Sequence, residues 1–375
     1  MKGRLGGSPT AVPFGDLARS TATLRDEIDA AIARVLDRGW YILGEEGAEF
    51  ETEFAAYCGS EHAVGVASGT DAIELALRAL DSGPCDEVIT QANTCVPTVA
   101  AIERAGATPV LCDAEPSAGL MDPESFAGAI SSRTRAVVPV HLYGQCSDVD
   151  AIASVAAQAG IEVIEDCAQA HGAELRGRRA GTIGRLGCFS FYPTKNLGAL
   201  GDGGVVVTDD DELATWLRLL REYGQTEHYV HVATGVNSRL DVLQAVVLRT
   251  KLPHLDEWNA RRREIARRYS DALEGTSIRA LAELPGRFHA YHLYVVEAND
   301  RPRLEAHLDR RGVRTAIHYP CPIHGYWPYS SLGDGPVPLT VSEDLCEQVL
   351  SIPLYPELRD DEVEAVAAAL GEFKP

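Results

Sequence analysis

Lysine and net positive charge are both scarce in this sequence of 375 residues. Only four of its 34 basic residues are lysines, at positions 2, 195, 251 and 374, and the formal net charge is −21 at pH 7. A protein that binds DNA or RNA needs a basic surface for the phosphates, so this composition argues against a nucleic-acid partner. A small phosphorylated ligand in a locally positive pocket is still compatible with it.

Long apolar runs and paired cysteines are also missing. No apolar run approaches the length of a membrane span, and the first seven residues lack the apolar core of a signal peptide. The nine cysteines are scattered and include no Cys-x-x-Cys pair, which is typical of reduced thiols and gives no zinc spacing. We therefore predict a cytoplasmic protein with no metal site and no membrane partner.

Short apolar runs alternate with helix-period stretches between about residues 61 and 208. Continuous β-branched runs of this kind indicate strands buried on both faces, and hence a mostly parallel sheet. The last two runs are joined by a Gly-rich loop too short for a helical crossover, so one strand there is predicted to be antiparallel. The seven runs are 63–66, 87–89, 108–111, 136–140, 162–164, 188–191 and 204–207, and helices are predicted over 21–37, 71–80, 148–159 and 211–221.

The charged stretch from Asp256 to Leu273 is predicted to be a helix that leaves the large domain. Two further apolar runs follow, at 291–296 and 313–317, and a last helix is predicted from about Asp360 to Leu370. We therefore predict a large domain over residues 1–253 and a smaller α/β domain over residues 254–375.

Lys195 lies between two of the strand-like runs, in a chain that otherwise uses arginine for positive charge. An amine can form a Schiff base whereas a guanidinium cannot, and a half-buried amine loses its proton more readily. Lys195 is therefore a candidate covalent anchor for an aldehyde cofactor. On this residue alone the ordinary interpretation, a solvated loop lysine, is favoured.

Ser68-Gly69-Thr70-Asp71 follows the first strand and opens a helix. Glycine permits close approach of a ligand, and the free N–H groups of a helix start favour an anion such as phosphate. The alternative is an ordinary N-cap by Thr70 or Asp71.

Asp166 ends an apolar strand, where a carboxylate can hold a protonated ring nitrogen or can simply cap the strand end. Gln169 follows closely enough to reach the same ligand. The hydroxyl of Ser190, just before Lys195, could add a hydrogen bond to a phosphate.

Several strings, taken together and in order, resemble one family over nearly the whole chain. They include Ser68-Gly69-Thr70-Asp71, Gln91-Ala92-Asn93-Thr94, Val140-His141-Leu142-Tyr143-Gly144-Gln145, Glu165-Asp166-Cys167-Ala168-Gln169, Phe189-Ser190-Phe191-Tyr192-Pro193-Thr194-Lys195-Asn196 and Asn237-Ser238-Arg239. The chain resembles the DegT/DnrJ/EryC1/StrS family of pyridoxal-phosphate sugar aminotransferases. The resemblance implies an α/β protein of transferase fold type I, with a mostly parallel seven-stranded sheet in the large domain and a smaller α/β C-terminal domain.

The resemblance also implies roles at the cofactor ring. Lys195 would bind pyridoxal 5'-phosphate as a Schiff base and would then move a proton between cofactor and substrate carbons. Asp166 would pair with the ring nitrogen. Gln169 would contact the ring or the side of its phenolic oxygen.

At the phosphate, the resemblance implies contacts from Gly69, Thr70 and Ser190. Asn237 would reach the phosphate of the neighbouring subunit's cofactor, which implies a homodimer with shared active sites. Arg239 would help to bind the acidic amino donor or the phosphates of the sugar.

Cys95 departs from the family pattern, because many relatives carry an aromatic residue there that stacks on the cofactor ring. A cysteine packs against the ring as a small apolar group but cannot stack. Cys95 is thus a predicted cofactor contact, in a pocket that is roomier or packed by another residue.

On the substrate side, a similar His-Tyr-Pro…His segment borders the sugar pocket of relatives that aminate nucleotide-linked deoxysugars. His318, Tyr319 and His324 are the matching candidates here. Tyr223 is a further candidate.

The predicted function is amino transfer from glutamate (or glutamine), through pyridoxamine 5'-phosphate, to a nucleotide-linked 3-keto or 4-keto deoxysugar. The product would serve amino-sugar biosynthesis for a secondary metabolite or a surface glycan. The alternative is a cyclitol (inosose) aminotransferase of aminoglycoside-type biosynthesis. A sugar dehydratase of this family would carry histidine in place of Lys195, and a non-catalytic regulator would not need Lys195, Asp166 and Gln169 together.

Overall fold

The computed structural model describes residues 11–374, so the first seven residues, on which the prediction about a signal peptide rests, lie outside the described residues. Its helices are α1 Leu17–Thr23, α2 Arg25–Arg38, α3 Glu45–Cys58, α4 Gly69–Ala79, α5 Val96–Arg104, α6 Pro123–Ala129, α7 Val149–Ala159, α8 Asp211–Leu220, α9 Val242–Lys251, α10 Leu255–Ala272, α11 Arg301–Arg310, α12 Thr340–Gln348 and α13 Asp360–Gly371. Among the described residues, no helix combines the length and apolar character that crossing a bilayer requires.

Seven of the strands form the central sheet. They are β1 His62–Val66, β2 Glu87–Gln91, β3 Thr108–Cys112, β4 Thr134–Val138, β5 Glu162–Asp166, β8 Leu186–Ser190 and β9 Gly204–Thr208. The remaining strands form small sheets and are β6 Glu174–Leu175, β7 Arg178–Arg179, β10 Gln225–Glu227, β11 Val230–His231, β12 Arg279–Ala280, β13 Arg287–Phe288, β14 Tyr294–Glu297 and β15 Val349–Ile352.

The central sheet has the order β1-β9-β8-β5-β4-β2-β3. Every adjacent pair from β8 to β3 is parallel, whereas β9 is antiparallel to both of its neighbours. The loop between β8 and β9 contains no helix, so the chain must reverse direction there. The predicted mostly parallel, seven-stranded α/β fold is therefore confirmed, together with its single antiparallel strand.

One local prediction was wrong. The helix predicted over 21–37 is broken at Leu24, whose non-helical backbone separates α1 from α2. Leu24 is buried against Ile28 and Val247, so packing outweighs helix propensity there. The apolar run 313–317 forms two isolated β-bridges, one between Val313 and Val12 and one between Ala316 and Ser351 of β15.

Apolar residues pack on both faces of the central sheet. One face holds an aromatic group from α3 and β8 that includes Phe50, Phe54 and Phe189, and the other face is covered by α4. A separate cluster is built on α10, α11, α13 and the sheet of β14 and β15, and Val12 also packs into it. The domain boundary at residue 254 stays a prediction.

Phe54 lies at the centre of the aromatic group. It is fully buried, with its ring centroid 5.2 Å from that of Phe189 and 5.4 Å from that of Phe191. We expect Phe54→Ala to lower the free energy of unfolding by about 3–5 kcal/mol, because it removes apolar contacts and leaves a cavity. Denaturant titration measures the loss. Thr52→Ala, on the exposed side of the same helix, should change it by less than about 0.5 kcal/mol, and equal losses in both variants would contradict this role of Phe54.

Candidate active site

One cavity of about 390 Å³ lies at the carboxyl ends of β5 and β8, and we call it the front cavity. The starts of α4 and α5 and the loop after β8 also border it. Parallel strands commonly place ligand-binding groups at this edge of a sheet. The cavity brings together nine of the predicted site residues, namely Gly69, Thr70, Cys95, Asp166, Gln169, Ser190, Lys195, His318 and Tyr319.

The other four predicted residues do not line the front cavity of a single chain. Arg239 pairs with Glu222 at 3.5 Å, and its guanidinium lies 6.0 Å from the ring centre of Tyr223. Asn237 is exposed, and its backbone forms an isolated antiparallel β-bridge with Glu222. His324 is separate from these residues, and its Nε2 contacts Glu343 at 2.9 Å. The structure of one chain therefore leaves their predicted roles untested.

Lys195 and Asp166 form the charged centre of the front cavity. Burial raises the pKa of the Asp166 carboxyl, while hydrogen bonds and the charge of Lys195 oppose that rise. Burial lowers the pKa of the Lys195 amine, and Asp166 opposes that fall. Within residues 11–374 the Lys195 Nζ has neither an ion pair within 4.0 Å nor a hydrogen bond, so the amine is available to a ligand.

The start of α4 and Ser190 form one end of the cavity. The Ser68 hydroxyl accepts a hydrogen bond from the Asp71 N–H at 3.1 Å, so Ser68 is the N-cap, and an N-cap at Thr70 or Asp71 is wrong. A Cβ atom at Gly69 would lie 2.6 Å from the Ser190 Cβ, which explains why glycine is needed there. Free N–H groups at a helix start, next to a serine hydroxyl, suit a phosphate.

Gln169 and Tyr319 are held together beside Cys95. The Gln169 Oε1 accepts from the Tyr143 N–H at 2.7 Å, and its Nε2 donates to the Tyr319 hydroxyl at 3.0 Å. Burial raises the pKa of the partly buried Cys95 thiol, and its hydrogen bond with Tyr319 opposes this. The position where relatives carry an aromatic residue is thus occupied here by a thiol with a tyrosine next to it.

Thr98 is a site residue that the sequence reasoning missed. Its hydroxyl donates to the Asp166 Oδ2 at 2.9 Å, and the Ala168 N–H donates to the other oxygen at 3.1 Å. Thr98 lies three residues after Cys95, about one helical turn along α5. This spacing was the only feature of the sequence that could have marked Thr98 as a site residue.

His292 is a second residue that was missed. The Asn196 amide nitrogen donates to Asn259 and to the Ala290 carbonyl, so its Oδ1 must accept from His292 Nδ1, 3.2 Å away. This fixes the tautomer and leaves Nε2 as an acceptor. Burial lowers the pKa of His292, which keeps the ring neutral. An apolar run surrounds it in the sequence, so no motif marked it.

Glu165, next to Asp166, serves a structural purpose. Its carboxylate lies with His141 and Cys167 in a group whose possible metal-ligating atoms are within 4.8 Å of one another. However, it accepts from three backbone N–H groups of the loop 181–184 at 2.7–2.9 Å and contacts the His141 Nε2 at 2.8 Å. Although burial opposes ionisation, these hydrogen bonds lower the pKa of Glu165. The carboxylate is thereby committed to holding the loop.

These groups fit the cofactor that the sequence resemblance implies. Lys195 would supply the amine, Asp166 the anion for a protonated ring nitrogen, and Ser190 with the α4 start the phosphate contacts. The close approach at Gly69 and the buried carboxylate of Asp166 are the features of this chain that carry the fit.

Thr98 provides a direct test of the Asp166 contact. We expect Thr98→Val to weaken the binding of pyridoxal phosphate roughly tenfold or more, because a hydrogen bond to a charged group contributes about 1.5–3 kcal/mol. The pKa of Asp166 should rise further, which makes the anion less available to the ring nitrogen. Rebinding of the cofactor to the apoprotein, followed by absorbance, measures the change. Thr98→Ser retains the hydroxyl and should bind as the wild type does. Unchanged affinity in Thr98→Val would show that this hydrogen bond is dispensable.

The sequence profile of the DegT/DnrJ/EryC1/StrS aminotransferase family matches residues 22–371. The chain is 48% identical over 360 residues to the erythromycin biosynthesis sensory transduction protein EryC1 of Saccharopolyspora erythraea, covering 96% of this chain and 98% of that protein. It is 47% identical over 363 residues to the dTDP-3-amino-3,4,6-trideoxy-alpha-D-glucose transaminase of Streptomyces venezuelae, covering 96% of each chain.

The crystal structure of Streptomyces venezuelae DesV in complex with a ketimine intermediate superposes with a TM-score of 0.94 at 48% identity, covering 96% of this chain and 98% of that one. Five curated relatives that are 40–47% identical, including the transaminase just described, have names that place an amino or keto group at carbon 3 of a nucleotide-linked sugar. Both the sequence and the fold therefore show that this chain belongs to the DegT/DnrJ/EryC1/StrS aminotransferase family.

Proposed function

We propose that this protein is a pyridoxal-phosphate-dependent aminotransferase that moves an amino group from glutamate (or glutamine) to the 3-keto group of a nucleotide-linked deoxysugar. The observation that carries the proposal is the convergence of Lys195, Asp166 and the Gly69–Ser190 contact in one cavity. When bound, the cofactor would supply an aldehyde that accepts amino groups and a ring that withdraws electrons from the neighbouring carbon.

Each residue of the front cavity has a distinct task in this reaction. Lys195 offers an amine whose pKa is lowered by burial, which suits it to take up a proton at one carbon and return it at another. Asp166, held by Thr98 and Ala168, keeps a negative charge opposite the ring nitrogen. Gln169 is held by its two hydrogen bonds and orients Tyr319 toward the substrate.

Carbon 3 is favoured over carbon 4 by the named relatives. The five with a stated substrate comprise three dTDP-linked and two UDP-linked sugars, each with the reacting group at carbon 3. Their names also support a nucleotide-linked sugar over the cyclitol alternative. His318 and Tyr319, which line the cavity next to Lys195, are the proposed contacts of the sugar.

A homodimer with shared active sites would bring Asn237, Arg239 and Tyr223 to the cavity of the neighbouring subunit. Exposed apolar side chains in residues 40–42 and on the hairpin of β10 and β11 support this assembly, because large exposed apolar patches commonly mark interfaces. The nine unpaired cysteines are consistent with a reducing cytoplasm, where we place the enzyme.

Lys195 is tested by substitution. We expect Lys195→Ala and Lys195→Arg both to lose amino transfer from glutamate to a nucleotide-linked 3-keto sugar, because neither side chain retains a primary amine. Intact-mass measurement after borohydride reduction should find the cofactor attached to the wild type and to neither variant. Retention of the attached cofactor in either variant would refute the assignment. If the wild type transfers the amino group only to inososes, the nucleotide-linked sugar is refuted as the acceptor.

The shared site is tested by complementation between two inactive chains. Co-expressed Lys195→Ala and Asn237→Ala chains should form heterodimers in which one of the two sites has both residues intact. If mixing is random, activity on the order of one quarter of the wild type should return. If Asn237 serves the cavity of its own chain, the mixture should have no more than the mean activity of the two separate variants.

A further inference from the structure

A second cavity, of about 400 Å³, shares Lys195 as a lining residue with the front cavity, and we call it the rear cavity. Thr194, Lys195, His292 and His318 line both cavities. The other walls of the rear cavity come from the segment 14–20, from the junction of α9 and α10, and from the segment 354–357. A ligand in the rear cavity would therefore be in contact with the same lysine that serves the front cavity.

Lys251 lines the rear cavity, so the two internal lysines of the chain face the same space. Lys251 is only 5% exposed, and its Nζ donates to the Gly198 carbonyl at 2.6 Å. In the part of the chain that the structure describes, no carboxylate lies within 4.0 Å of this ammonium. One hydrogen bond leaves two of its three N–H donors free for a ligand.

Arg262 is a second buried cation of the rear cavity, 6% exposed. Its Nη1 donates to the carbonyls of Tyr291, His292 and Leu354 at 3.0–3.3 Å, while its buried Nε has no partner among the described residues. Burial lowers the pKa of Arg262 to about 10 and also lowers that of Lys251, because neither cation is fully compensated where it lies.

Few negative charges offset these cations. Asp16 and Glu357 are the acidic residues of the lining, and Asp16 is committed to Arg19 at 3.1 Å and to the cap of α1. Partly exposed Glu357 is thus left opposite Lys195, Lys251 and Arg262. In a chain of net charge −21, this is a local positive region. Apolar lining from Phe14, Trp258, Leu293 and Leu354 suits a short carbon chain between an anionic end and Lys195.

We propose that the rear cavity binds the carboxylate of the amino donor, with Lys251 and Arg262 as its charge partners and the donor's amine directed toward Lys195. The inference rests on the proposed aminotransferase function. It assigns the donor's carboxylate two charge partners, Lys251 and Arg262, that do not line the front cavity, so a change at Lys251 should separate the two half-reactions.

The first experiment compares Lys251→Met with the wild-type holoenzyme in single turnovers. The glutamate half-reaction and the sugar half-reaction are followed separately by cofactor absorbance. We expect the glutamate concentration that gives half-maximal rate to rise roughly tenfold or more, because a charge-assisted hydrogen bond is lost. The corresponding sugar concentration should change by less than about twofold.

Arg267→Met is the matched control, because it removes a cation from the exposed side of α10 and should alter neither half-reaction. If Lys251 only holds the Gly198 loop in place, both half-reactions should slow together, since both need Lys195, and that result would overturn the proposal. The glutamate half-reaction is measured before any sugar is added, so a wrongly assigned acceptor leaves this test intact.

A second experiment measures binding without turnover. Trp258 lines the rear cavity, so glutarate, which has the donor's chain without its amine, should change the tryptophan fluorescence of the wild-type holoenzyme saturably. The change should be absent in Trp258→Phe and should require roughly tenfold more glutarate in Lys251→Met. Equal glutarate affinity in Lys251→Met and in the wild type would overturn the rear-cavity assignment while leaving the proposed reaction standing.

Discussion

Two adjacent buried carboxylates at the end of β5 are the constraint on which the site depends. Neighbouring residues of a strand point to opposite faces, so Glu165 and Asp166 face different surroundings. Burying a carboxylate is costly unless hydrogen bonds replace those of water. Glu165 receives these from three backbone N–H groups and His141, and so it fixes the loop 181–184. The Asp166 carboxylate accepts two hydrogen bonds within the chain and can accept more from a ligand in the front cavity.

The antiparallel strand β9 gives Lys195 its position. Because β9 is antiparallel to both β1 and β8, its first residue, Gly204, pairs with Val66 and with Ser190, so the end of β8 and the Lys195 loop lie at the same edge of the sheet as the start of α4. The reversal is tight: a Cβ at Gly198 would lie 2.3 Å from the Pro193 carbonyl oxygen, and one at Gly204 would lie 2.3 Å from that of Ser68. A topological exception within a parallel sheet therefore places the amine, the hydroxyl and the helix start side by side.

The seven strands and the residues that follow them in sequence were predictable because their signals are local. An apolar run, a carboxylate at its end and a glycine before a helix all occur within a few residues. The break at Leu24 was not predictable, since it depends on packing against Val247, which is more than 200 positions away. The same holds for His292, whose tautomer is set by Asn196. Asn237 and Arg239 show a further limit, because the predicted contact belongs to a second chain.

The scarcity of lysine takes on a physical meaning in the folded chain. Arginine serves the charge networks at the surface, as in Arg249, which pairs with Glu46 and Glu53. A guanidinium remains protonated in such places whatever its neighbours do. An amine is different, because burial lowers its pKa and the neutral form can bond covalently to an aldehyde. Both internal lysines have this property, and both line the rear cavity. The chain thus places both internal lysines at this cavity and uses arginine for the charge networks at the surface.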